Sequence, residues 1–189
     1  SGPRARRTQP AGSQGVGRDA WAYGKGLGVT VGWVAEHCFD GYKGDAGYAR
    51  AGVGAERGAG ADAIDLCETN GGALPHEVDA VVAAVARELP GQQLGIHCHN
   101  DSGCAVANSL AAVRAGVTQV QGTVNGFGER VGNTDLLTVI ADLELKMGCT
   151  CVGEERLRDL TSVAQFVAET CNLSVPTHHP STGASPFAP

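Results

Sequence analysis

Residues 95–148 read GIHCHNDSGCAVANSLAAVRAGVTQVQGTVNGFGERVGNTDLLTVIADLELKMG, and this stretch decides the fold. Leu94 to His99 has the length and composition of a short strand. Side chains alternate faces along a strand, so His97 and His99 share one face and Cys98 takes the other. Two imidazoles on one face can share one divalent ion. Asn100, Asp101, Ser102 and Gly103 end the strand and offer caps for the next helix. That helix spans Cys104 to Ala115 and stops at Gly116. A strand over Gln119–Val124 leads into the glycine-punctuated run Asn125 to Asn133, and a helix follows from Thr134 to Lys146. Each piece has an ordinary alternative: His-x-His also occurs without a metal, Asn-Asp also only caps a helix, and NGFGERVGN also makes tight turns. Their succession, each after a strand and before a helix, is the stronger signal.

The same alternation extends upstream. Strand Val29–Glu36 precedes helix Ala46–Gly58, and strand Ala63–Thr69 precedes helix Pro75–Leu89. A fifth helix, Glu154 to Cys171, has no clear strand before it. Four βα units predict an α/β fold with a parallel sheet.

Three motifs carry a family resemblance. HCHNDSGCAVANSL followed by QVQGTVNGFGERVGN resembles the acetyl-CoA-dependent Claisen-condensing enzymes related to 2-isopropylmalate synthase and homocitrate synthase. AEHCFDGYKGDAGYA (Ala35–Ala49) and LCETNGGALPHEV (Leu66–Val78) are more similar to the citramalate synthase branch than to the isopropylmalate branch. The likeness runs from Val29 to Ala188. It implies the C-terminal half of a (β/α)8 TIM barrel: about four βα units plus a trailing helix. A complete barrel takes about 250 residues, and the chain has 189. The implied division is a non-matching, disordered segment over 1–19, a partial catalytic barrel over 20–150, and a trailing helix with a linker over 151–189.

The resemblance also implies a chemistry: acetyl-CoA, pyruvate and water give citramalate and CoA, on a route to isoleucine. His97, His99 and Asn133 match metal ligands. The ion is divalent (zinc, manganese or magnesium) and acetyl-CoA is the co-substrate. Glu36 matches a glutamate near the acetyl-CoA methyl and is the candidate base, with His37 beside it. Thr69 matches a threonine that bonds the oxo-acid carboxylate. Asp101 is the candidate partner of a ligand imidazole, or else an N-cap. Glu129 and Arg130 read as scaffold for Asn133. Glu68 stands where the family usually has Asp. The family's D-x-T-L-R-D-G motif, with a further acidic ligand and an arginine, does not occur in the 189 residues. The chain alone is therefore expected to be inactive, a truncated form of an enzyme whose full length forms homodimers. An isopropylmalate-type condensation, and an inactive half-barrel serving as an interaction module, are the alternatives.

Composition narrows the remaining classes. A net charge of −6 argues against nucleic-acid binding through a basic face. No apolar run approaches a membrane span. Arg6-Arg7 lacks the apolar segment an export signal needs. Seven cysteines, an odd number, without a secretory signal read as reduced thiols in a cytoplasmic protein. Cys149-x-Cys151 reads as ordinary loop thiols, His178-His179 as terminal coil, and Trp21 and Trp33 as packing residues.

Overall fold

The computed structural model describes residues 19–187; the segment expected to be disordered lies, apart from Asp19, outside the described residues. Four strands, β1 (Gly32–Ala35), β2 (Ala63–Glu68), β3 (Gln93–Cys98) and β4 (Gln119–Gln121), form one sheet in the order β1-β2-β3-β4. Every pairing is parallel. Helix α1 covers residues 19–26. The others are α2 (Cys38–Gly44), α3 (Ala46–Ala59), α4 (Pro75–Glu88), α5 (Ala105–Arg114), α6 (Leu136–Leu145) and α7 (Leu160–Thr170).

Helix starts follow local chemistry. Asp45 caps α3 by accepting from Tyr48 N at 3.0 Å. Pro75 opens α4, and Glu77 Oε2 reaches back to Leu74 N at 2.7 Å. The Asn100 side chain accepts from Ala105 N at 3.1 Å at the start of α5. Asp135 caps α6 through Leu137 N and Thr138 N.

The two faces of the sheet differ. Ile64, Leu66, Leu94, Ile96 and Cys98 point to the helices and pack with Val78, Val82, Val85 and Ala112 in the main core. Each large side chain buried there contributes roughly 1.5–3 kcal/mol. A second cluster, Leu137, Ala141, Leu160 and Ala164, fixes α7 against α6. The opposite face carries Asp65 and Cys67 of β2, Gly95 and His97 of β3, and Gln119 and Gln121 of β4, which fall in two cross-strand rows. Gly95 makes room for Asp65: a Cβ there would lie 1.6 Å from Asp65 Oδ1. That oxygen accepts from Gln119 Nε2 at 3.1 Å. Burial pushes the Asp65 carboxyl up from its ordinary range, against the pull of His97 and Gln121.

The strand and helix order matches the sequence expectation, while several ends differ. The first strand stops at Ala35 because His37 turns the chain at φ 54. The fourth stops at Gln121: Thr123 N bonds Thr134 O at 3.0 Å, and Asn125 sits at φ 62 in a 3-10 turn. The expected fifth helix divides into a 3-10 segment, Glu154–Asp159, and α7. Helix α2 was not expected, since CFDGYKG carries two glycines and no helical periodicity.

Gly95→Ala forces a methyl into a buried carboxylate. The variant should lose about 1–3 kcal/mol of stability, read as a lower urea midpoint with an unchanged slope.

Candidate metal centre

The candidate site residues gather at the C-terminal ends of the strands. In parallel register, partners share a face, and Cys67, His97 and Gln121 form one row. His99 lies two residues beyond His97 on that face. The rings of His97 and His99 are 5.1 Å apart and tilted by 60°. One ligand atom from each of Cys67, His97 and His99 lies within 4.8 Å of the others. Among the described residues, this is the cluster of His, Cys, Asp or Glu able to hold an ion.

Asn133 is brought to the same place by the loop after β4. His99 and Asn133 form an antiparallel bridge. Asn133 N donates to Gly126 O at 2.9 Å, and Thr134 N donates to Cys98 O at 3.0 Å. Two glycines make this fold-back possible. Gly132 has φ +104, and a Cβ on it would meet Gly126 O at 2.1 Å; one on Gly128 would meet Asn133 Oδ1 at 2.7 Å.

Two buried acceptors or donors here have no hydrogen-bond partner: His99 Nδ1 and Asn133 Oδ1. A buried polar group left unpaired costs roughly 1–3 kcal/mol. Both are good ligands for a divalent ion, so the donor set fits one. His97 Nδ1 lies 3.2 Å from Gln121 Oε1. An amide oxygen only accepts, so Nδ1 carries the proton in this pair and Nε2 is left for a ligand bond.

Glu36 and Thr69 meet at the rim. Thr69 Oγ1 donates to Glu36 Oε2 at 2.9 Å and accepts from His37 N at 2.8 Å. The hydroxyl expected to hold the oxo-acid carboxylate is thus committed to Glu36 in this structure. Asp101 departs from the expected imidazole contact. Arg130 takes both its oxygens, Nε to Oδ1 at 2.8 Å and the terminal nitrogen to Oδ2 at 2.9 Å. The guanidinium fork matches a carboxylate in shape and charge, and His99 Nδ1 stays unpaired. Arg130 holds the Asp101 carboxyl below its usual range. It also donates to Thr69 O at 2.7 Å, tying together the loops after β2, β3 and β4. Its contact with Glu129 is looser, at 3.9 Å.

Glu68 points away from this cluster. Its Oε1 accepts from Gly72 N at 3.1 Å and Ala73 N at 3.2 Å, while Oε2 is buried without a partner. Burial raises its pKa, opposed by those two N–H groups. His179, expected in plain coil, is folded in, with Nδ1 2.8 Å from Thr182 Oγ1 and Nε2 3.7 Å from Asp135 Oδ2. Sequence analysis missed Cys67 and Gln121. Their role depends on which strand residues stand opposite His97, and nothing in the local pattern gives that.

Parallel βα units with imidazole and amide donors at the strand ends define a partial (β/α)8 barrel with a candidate metal centre at its mouth. Residues 33–167 match the HMGL-like family, and the chain belongs to it. Its relatives include the (R)-citramalate synthase of Streptomyces coelicolor, 49% identical over 170 residues, covering 90% of this chain and 32% of that protein. The (R)-citramalate synthase of Synechocystis is 47% identical over 177 residues, again 90% of this chain and 32% of that protein. The homocitrate synthase of Sulfurisphaera tokodaii is 36% identical over 166 residues, 88% of this chain and 35% of that protein. The chain therefore spans about a third of the length of the curated relatives it matches. In fold it is similar to the HMG-CoA lyase of Bacillus subtilis, with a TM-score of 0.77 at 22% identity, over 90% of this chain and 59% of that one.

Two outcomes follow. Gln121→Leu removes the acceptor that orients His97, and zinc affinity by calorimetry should fall about 10- to 100-fold. Glu68 has a raised folded pKa, so the folded state holds its proton to higher pH than the unfolded chain. Its contribution to stability is full below the ordinary glutamate range and is lost as pH rises through the folded value. Glu68→Gln keeps an acceptor oxygen and should flatten that decline in urea titrations across pH.

Proposed function

We propose that this chain is part of an acyltransferase that condenses acetyl-CoA with pyruvate, consuming water and giving citramalate and CoA. The observation that carries this is the identity of 43–49% to five (R)-citramalate synthases over at least 82% of the chain. The drop to 36% against homocitrate synthase favours pyruvate over a longer oxo acid.

His97, His99 and Asn133 would hold a divalent ion. When bound, that ion supplies Lewis-acid polarisation of the oxo acid's ketone. The protein's own residues do the rest. Glu36 stands at a strand's C-terminal end, where barrel enzymes gather reacting groups. We assign it the proton of the acetyl-CoA methyl. Thr69 occupies Oε2, so Oε1 is the oxygen that takes that proton. Thr69 is then a positioning residue, itself fixed by His37 N–H. The Arg130–Asp101 pair keeps the three loops in place around the cleft. No described helix is long and apolar enough to cross a membrane.

The test is CoA release from acetyl-CoA by the whole protein carrying this chain, with Mn²⁺ or Zn²⁺ added. Pyruvate should be preferred over branched oxo acids. Glu36→Gln should lower kcat by about 10²- to 10⁴-fold, and His97→Ala should remove metal-dependent turnover. Turnover insensitive to His97→Ala would sink the mechanism.

A further inference from the structure

We propose that two copies of this chain pair edge to edge, so that the four strands of each close one eight-stranded parallel barrel. The pairing follows from the fold and is independent of the activity proposed above. Among the described residues, β1 pairs only with β2, and β4 only with β3. Each end of the sheet therefore carries unpaired backbone N–H and C=O groups, a template for another strand. All four strands run the same way and follow one another in chain order. A two-fold axis along the barrel sets β4 of each copy beside β1 of the other, parallel like the rest. Eight is the number of strands at which such a sheet closes with side chains just filling its interior. Four is half of that, so one further copy satisfies both edges.

The two flanks complement each other in shape. On the β1 side, Trp33, Ala35, Tyr48, Gly52 and Val53 line a cavity of about 220 Å³ between the strand and α3. Val34 stands opposite Asp65, on the inner face of the sheet, and is 41% exposed. On the β4 side, α7 packs on α6, the helix that follows β4. Phe166 of α7 is 69% exposed there, with Val163 exposed three residues before it. In a closed barrel, the helices after β4 lie in the outer ring beside β1 and α3 of the next copy. An apolar knob then meets an apolar hollow at each of two identical seams. A knob and a hollow on different parts of one molecule make a head-to-tail contact, and a two-fold rotation closes it.

The ordinary alternative is that single apolar side chains on a surface need no partner. That accounts for Phe166 by itself. It leaves both strand edges open and the inner-face Val34 without a neighbour across the seam.

The test is the mass in solution of the full 189-residue chain, by sedimentation, with far-ultraviolet circular dichroism to confirm folding. One species of twice the chain mass is expected. Phe166→Glu and Val34→Lys each place a charge in the seam, and each should return the protein to single-chain mass with its helix signal retained. A chain carrying both Gly52→Cys and Phe166→Cys, treated with a short bismaleimide and mapped by peptide mass, should show position 52 of one copy joined to position 166 of the other. That locates the seam even if a charged variant fails to fold. A single-chain species overturns the proposal, whether its edges are covered by its own residues or left for a segment of a longer protein. So does a dimer unmoved by both charged variants and lacking the 52–166 link, or an open ladder of larger species.

Discussion

The parallel register of β2 with β3 is the constraint on which the site depends. It sets Cys67 opposite His97 and Asp65 opposite Gly95. A slip of one residue would turn His97 toward the helices and bring Cys98 into the cleft. The register is held from the other side of the sheet. Ile64, Leu66, Leu94 and Ile96 alternate with the polar residues and must all face the apolar helices. The hydrophobic layer thus positions the chemistry without touching it.

Around that row, the loops trade backbone freedom for donor placement. Gly128 and Gly132 let the loop after β4 return close enough to bring Asn133 beside His99. Arg130, from the same loop, reaches Asp101 and the carbonyl of Thr69. Gly71 completes the joint, since a Cβ on it would lie 2.6 Å from Asp101 N. Three strand ends are braced this way while His99 Nδ1 and Asn133 Oδ1 remain unpaired. Both atoms are metal-ligand types, and they stand side by side at the strand ends, which is what makes this the candidate centre.

Most of the architecture was legible because βα alternation is written in periodicity and in caps. Helix α3 was read to within one residue of its end, and β2 and β3 likewise to within one. Among the ends that differ, two lie close to left-handed residues: His37 at φ 54 follows the end of β1, and Asn125 at φ 62 sits in the turn after β4. Asp101 was read as the candidate partner of a ligand imidazole or else as an N-cap. Arg130, 29 residues away in sequence, competes better through two charge-assisted bonds.

The sequence by itself determined the α/β class, the shared face of His97 and His99, and the motifs that mark the family. These depend on spacing along one strand and on local turn chemistry, which short-range sterics dictate. Only the tertiary structure decided what surrounds the imidazoles. Cys67 and Gln121 meet His97 because separate strands pair in one register, and Thr69 meets Glu36 because two strand ends lie side by side. Such meetings are set by how the apolar faces of many residues pack at once, and no single stretch of the chain encodes them.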